Sequence, residues 1–149
     1  MIVYLDASAL VKEYTEEVGS TEVDQLLVQA DVLGTSLLTR AEVASALAKA
    51  VRTQALSREM ARTALHTFRA NWSRLVRLGI TEERVIQADL LTWEYGLRGF
   101  DAVHLAVALS WQESSQAPVT FATFGRHLWH AAQAAGLEVW PKDFKSAML

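Results

Sequence analysis

The sequence predicts a three-layer α/β/α fold built around a central, mostly parallel sheet of four to five strands. Three observations predict it. Short apolar runs of strand length alternate with amphipathic helical segments along nearly the whole chain. Alternation of that kind implies right-handed crossovers and a sheet covered by helices on both faces. The composition, 51% hydrophobic and 21% charged over 149 residues, suits a single compact domain spanning residues 1–149.

Each element has its own signal. Val3–Leu5 is an apolar strand bounded by Asp6, and Ala7–Tyr14 then places Ala7, Leu10, Val11 and Tyr14 at helical spacing. After the loop "EEVGS", Thr21–Ala30 repeats that spacing through Val23, Leu26, Leu27 and Ala30. "DVLGTS" is a second strand, and Thr39–Gln54 is an alanine-rich helix. Ser57 can cap a long helix whose stripe is Ala61, Ala64, Leu65, Phe68, Trp72 and Leu75. Leu75–Leu78 is a third strand. Thr81–Tyr95 and Asp101–Glu113 are helices separated by "GLRG". "PVTFAT" is a fourth strand, Arg126–Ala135 a helix, and "LEVW" a last strand closed by Pro141.

Several function classes fall away. There is no cysteine, hence no disulfide framework, zinc–thiolate site or thiol nucleophile. The N-terminal run carries Asp6 and no basic lead, and no stretch of about 18 uncharged apolar residues exists. The expectation is therefore a soluble, cytoplasmic protein with no membrane partner. G-x-S-x-G, P-loop and G-x-G-x-x-G motifs are absent, and no second acid or D-x-D pattern stands beside Asp6 to make a phospho-acceptor. Net charge is −3, unevenly spread. From Lys49 to Arg84 there are eight Lys/Arg against three Glu, giving +5, and −8 is left for the rest. That segment reads either as a solvated helix face or as a basic rim able to hold a phosphate backbone beside an acidic centre.

The acidic centre follows from topology. In an open parallel sheet, functional groups gather beyond the carboxyl ends of the strands. Asp6 follows the first strand, Glu42 lies in the first turn after the second, Asp101 opens a helix, and Thr123 and Gly125 follow the fourth. Taken singly, each acid has an ordinary role open to it: Asp6 and Asp101 as helix N-caps, Glu42 as the last member of the capping box "TRAE". Taken together, three acids on one edge repel one another. At about 5 Å and an effective dielectric of about 20, each pair costs roughly 3 kcal/mol. A divalent cation removes that repulsion, and oxygen-only ligands select Mg²⁺ or Mn²⁺ over zinc. Such a site suits phosphodiester hydrolysis, with no nucleophilic side chain required.

"VYLDASALVKEY", "AEVASALAKA", "GLRGFDAVHLAVAL" and "FATFGRHLWHAAQAAGLEV" together resemble the successive motifs of the PIN domain, most closely those of VapC-type toxins of toxin–antitoxin pairs. The resemblance covers almost the whole chain. It implies a PIN-like fold and a metal-dependent endoribonuclease that cuts RNA, is held inactive by a cognate antitoxin protein, and forms a homodimer. It makes Asp6, Glu42 and Asp101 the catalytic and metal-binding acids, with Mg²⁺ or Mn²⁺ as cofactor, and Ser8 and Thr123 the hydroxyls that support them. It also implies that the helix bearing Phe68 and Trp72 lines the antitoxin groove. One position departs: the fourth motif, usually T-x-D or S-x-D, reads "TFG", so Gly125 stands where an aspartate is expected. A one-metal or weak two-metal site follows, with activity retained. Asp89 or Asp143 is a conceivable substitute, and a PIN-fold RNA- or antitoxin-binding module without strong catalysis is the alternative.

Lys12, Arg98 and Arg126 lie near the acidic motifs and are candidates for contacting phosphate, each also readable as an ordinary surface cation. His104, three residues after Asp101, reads as a structural member of "DAVHLA", hydrogen-bonded near the sheet edge. His127 and His130 read as solvent-exposed, and His66 carries no clear signal. The five tryptophans read as core or interface.

Overall fold

The computed structural model describes residues 1–144. Five strands, β1 (Ile2–Leu5), β2 (Val32–Ser36), β3 (Val76–Leu78), β4 (Val119–Ala122) and β5 (Glu138–Trp140), form one sheet. Their order is β3-β2-β1-β4-β5, and every neighbouring pair is parallel. Seven helices connect and cover them: α1 (Ala7–Leu10), α2 (Ser20–Gln29), α3 (Leu38–Arg52), α4 (Arg58–Asn71), α5 (Glu82–Tyr95), α6 (Gly99–Ser115) and α7 (Arg126–Ala134).

Strand alternation divides the core in two. Tyr4 and Phe121, in register on β1 and β4, join Ala88, Leu91, Leu105, Ala108 and Leu128 on the face covered by α5, α6 and α7. Val3, Leu5 and Ala122 point the other way and meet Leu10, Leu26, Val43, Leu47, Ala64 and Phe68 from α1 to α4. Side chains from β1 and β4 thus enter both layers, as strands buried on two faces must. Gly34 in β2 permits the closest packing. A Cβ there would come within 2.4 Å of the Trp111 ring, so a larger residue would push α6 off the sheet.

Local signals account for most boundaries. The Ser57 hydroxyl caps α4 by accepting from the Met60 amide, and Thr81 caps α5 through the Arg84 amide. Gly96, at φ 66°, ends α5 in the left-handed conformation that glycine adopts without strain. Several boundaries differ from the sequence reading. The first helix stops at Leu10 and tightens into a 3₁₀ turn over Val11–Glu13. Leu75 lies outside β3, because a 3₁₀ turn over Trp72–Arg74 intervenes. The helix expected to open at Asp101 begins at Gly99, which makes Asp101 a first-turn residue and not the cap.

Strand order reverses between β1 and β4. The crevice beyond the carboxyl ends of those two strands is the switch point where an open α/β sheet holds its ligand. No helix among the described residues is long and apolar enough to cross a membrane.

Candidate functional site

Asp6 follows β1 directly and stands at this switch point. It is buried, 6% exposed, and three groups from two chain segments fix its carboxylate. Oδ1 accepts from Ser8 Oγ at 2.7 Å and from the Ala9 amide at 3.0 Å. Oδ2 accepts from Thr123 Oγ1 at 2.6 Å. Both hydroxyls are themselves oriented by backbone: Phe124 N–H donates to Ser8 Oγ at 2.9 Å, and Gly125 N–H donates to Thr123 Oγ1 at 3.0 Å. The turn after β4 therefore holds the acid after β1. Oδ2 keeps a lone pair to offer a ligand, since one donor occupies only one of its two acceptor directions.

The capping roles separate the three acids. Asp6 does cap α1 through Ala9. Asp101 is not a cap, because Arg98 occupies that position of α6. Glu42 closes no capping box, because α3 begins at Leu38, Ser36 Oγ accepts from its first amide, and the buried Thr39 bonds Thr35 instead. Two of the three acids thus cap no helix.

Asp101 is half-buried and takes no hydrogen bond from any described residue. Burial raises its carboxyl pKa above the ordinary value, the charge of Asp6 raises it further, His104 and Arg98 lower it, and Glu42 adds a small rise. Asp6 and Glu42 both act on Asp101, so the three carboxylates share one field. Glu42 is held by His104, whose Nε2 lies 2.6 Å from Glu42 Oε1. His104 Nδ1 meets Tyr4 Oη at 2.7 Å. Burial alone would lower the His104 pKa, but the Glu42 hydrogen bond and the charges of Asp6, Glu42 and Asp101 outweigh it and raise the value.

Among the described residues, no group of three His, Cys, Asp or Glu is arranged to hold a metal ion by itself. The donors present do fit a hard, hydrated cation. They are oxygens only, one carboxylate is half-buried without a hydrogen-bond partner, and a Mg²⁺-type ion takes one or two carboxylates and completes its shell with water. A cavity of about 850 Å³ between α2 and β5 includes none of these acids. Charge and topology locate the site, and cavity size does not.

The remaining candidates separate clearly. Lys12 does not reach outward as a phosphate contact would. It is 9% exposed, donates to Val18 O at 2.7 Å and Glu17 Oε2 at 3.0 Å, and lies 4.5 Å from the Phe124 ring centroid, pinning the loop before α2. Arg98 is exposed, and its charge acts on Asp101. Arg126 opens α7 beside Gly125, exposed, its guanidinium 5.7 Å from the Phe144 ring centroid. Gly125 is the N-cap of α7, with no side chain to cap it. Asp89 and Asp143 are both exposed and enter no metal-holding group. Arg52, Arg58 and Arg62 flank a groove of about 330 Å³ between α3 and α4, floored by Ala44, Leu47, Val51, Ala61 and Leu65. Sequence reasoning missed Tyr4. The available signal was a phenol inside an apolar strand, two residues before Asp6, which needs a polar partner when buried.

The sequence pattern of the PIN domain matches residues 3–133. The chain belongs to the PIN domain family. Among curated relatives, Ribonuclease VapC45 and Ribonuclease VapC49, from two strains of Mycobacterium tuberculosis, are each 37% identical over 142 residues, covering 94% of this chain and 95% of the relative. Among solved structures, PAE2754 from Pyrobaculum aerophilum superposes with a TM-score of 0.64 at 20% identity, covering 99% of this chain and 90% of that one. FitAcB from Neisseria gonorrhoeae gives 0.63 at 18% identity, covering 95% and 98%. At such identities these two likenesses speak for the PIN fold alone.

Proposed function

We propose that this chain, folded as one domain, is a divalent-metal-dependent endoribonuclease and the toxin half of a toxin–antitoxin pair, working in the cytoplasm. One observation carries the reading. Asp6, pinned at the strand-order switch point by Ser8 and Thr123, shares a field with a half-buried Asp101 that has no hydrogen-bond partner of its own. The two relatives named as ribonucleases, similar over nearly the whole chain, support it.

Asp6 and Asp101, with Glu42 beside them, would hold Mg²⁺ or Mn²⁺. Such an ion, when bound, acidifies water and neutralises charge on the scissile phosphate. The chain does the rest by orientation. Ser8 and Thr123 fix the Asp6 carboxylate before any ligand arrives, so no side chain has to be ordered during the reaction. Arg98, whose charge acts on Asp101, and Arg126, next to Gly125, are both exposed and would meet backbone phosphates. Gly125 leaves the fourth corner without a carboxylate, consistent with a single, largely hydrated ion.

Two surfaces fit the expected partners. The groove between α3 and α4, apolar in its floor and arginine-lined at its rim, suits an acidic amphipathic helix of the antitoxin. Ile86, Leu90 and Trp93 make an exposed apolar stripe on α5, extended by Phe100, which suits a homodimer contact.

Cleavage of a structured RNA by purified protein tests the function. EDTA should stop it, and Mg²⁺ or Mn²⁺ in excess should restore it. Cleavage that persists in EDTA refutes metal dependence, and no cleavage under any metal refutes the enzyme reading.

A further inference from the structure

His104 does more than fill the core. It is 2% exposed and lies one turn after Asp101 on α6, so the helix that delivers Asp101 to the edge also delivers an imidazole to Glu42. Glu42 belongs to α3, which packs on the other face of the sheet. The bond from Nε2 to Oε1, 2.6 Å long, therefore joins the two helical layers across the carboxyl edge. Tyr4 completes the chain from the sheet itself. Its Oη is 2.7 Å from Nδ1, it is fully buried, and its ring stacks on Phe121 with centroids 5.2 Å apart.

Donor logic makes the arrangement directional. With a neutral imidazole, the phenol donates to Nδ1 and Nε2–H donates to Glu42. With an imidazolium, both nitrogens donate and the phenol oxygen accepts. Nε2 donates to Glu42 in either state, so the hold on Glu42 does not depend on protonation. Without it, Glu42, whose side chain is 27% exposed, would have three rotatable bonds and an open path to solvent. With one acceptor direction of Oε1 taken by His104, Oε2 is the oxygen wholly free to serve the site.

We propose that His104, locked by Tyr4, is a positioning residue for Glu42, fixing one carboxylate oxygen and presenting the other to the metal-bearing edge. The proposal rests on the reading of the edge as a metal-dependent nuclease site. Groups that orient a ligand from behind commonly change metal affinity or activity by about 10- to 100-fold when removed.

The test compares wild type with Tyr4→Phe, His104→Gln and His104→Ala, each alone and in a Glu42→Ala background. Three quantities are read: Mn²⁺ affinity by calorimetry, kcat and KM on a short RNA, and the melting temperature of the metal-free protein. The proposal expects His104→Ala to weaken Mn²⁺ binding and kcat roughly tenfold with KM little changed. His104→Gln, which keeps an N–H near the Nε2 position, should recover part of the loss, and Tyr4→Phe should fall between. In the Glu42→Ala background, all three substitutions should leave Mn²⁺ affinity and kcat unchanged, since the group they position is gone. Equal losses in both backgrounds, or a lower melting temperature with Mn²⁺ affinity and kcat within about twofold of wild type, would overturn it. If His104→Ala fails to fold, Tyr4→Phe and His104→Gln carry the same comparison. A wild-type protein that neither binds Mn²⁺ nor cuts RNA overturns the nuclease reading itself.

Discussion

Gly125→Asp adds the carboxylate that the fourth corner lacks, and the structure sets what it should do. The backbone at Gly125, φ −81° and ψ 107°, is open to any L-residue. An added Cβ would meet Thr123 Oγ1 at 3.4 Å and Leu128 Cβ at 3.7 Å, which is ordinary contact. As an N-cap of α7 the new aspartate gains a few tenths of a kcal/mol over glycine. Against that stands charge. The Gly125 amide reaches Asp6 through one hydroxyl, by bonds of 3.0 and 2.6 Å, so the two carboxylates would stand within several ångströms of each other. At about 6 Å and an effective dielectric of about 20 the repulsion is roughly 3 kcal/mol, and solvent screening brings it to about 1–2 kcal/mol. For a domain of this size that lowers the melting temperature by about 3–6 °C in EDTA. Excess Mn²⁺ should cancel the loss, giving the variant a larger metal-induced shift than wild type. Thermal melts with and without Mn²⁺ read both effects. Identical melts for variant and wild type in both conditions would place this corner outside the field of Asp6 and refute the reasoning. A gain in RNA cleavage would show the native site one ligand short, and an unchanged rate that three acids suffice.

Thr123→Val removes the donor to Asp6 Oδ2 and leaves the Gly125 amide without its acceptor. The expected loss is about 2–4 kcal/mol, read as a fall of roughly 5–15 °C in melting temperature. The pH dependence has a definite sign. Asp101 is raised from its ordinary 3.8, chiefly by burial, and His104 from its ordinary 6.5, against burial, by Glu42 and its neighbours. A raised folded pKa means stability that is fullest below the unfolded value and lost as pH rises through the folded one. Asp101 and His104 should therefore contribute stability that the metal-free protein loses as pH rises out of the acid range. Asp101→Asn should melt increasingly above wild type over the same span, and a pH-independent difference would contradict this. Trp93 is 88% exposed on α5, and Trp93→Glu should convert a dimer to a monomer by light scattering. An unchanged mass would argue against this stripe as a homodimer contact.

Much of this was legible in sequence because its causes are local. Val3–Leu5 followed by a carboxylate, the Ser57 cap and the stripe on α4 are short-range patterns that tertiary contacts reinforced. Where sequence misled, a propensity was outvoted. Asp101 reads as a cap because aspartate caps well, yet α6 starts at Gly99 and frees it for the edge. "TRAE" reads as a capping box, yet Ser36 takes that duty and Glu42 turns to His104. Lys12 reads as a free cation, yet its ammonium finds Val18, Glu17 and Phe124 within its own loop. Trp93 shows the limit of periodicity, which marks an apolar face but not whether the protein itself covers it. The Tyr4–His104–Glu42 chain joins residues 100 and 62 positions apart, and only the folded sheet brings them together.

The most direct test of the account is RNA cleavage by Asp6→Ala in saturating Mn²⁺, with wild type alongside and folding matched by circular dichroism. The variant should fold, lose most of its Mn²⁺ affinity and cut RNA at least a hundredfold more slowly, on the order of the cost of removing a preorganised electrostatic group. Cleavage by Asp6→Ala at a rate close to wild type would contradict it.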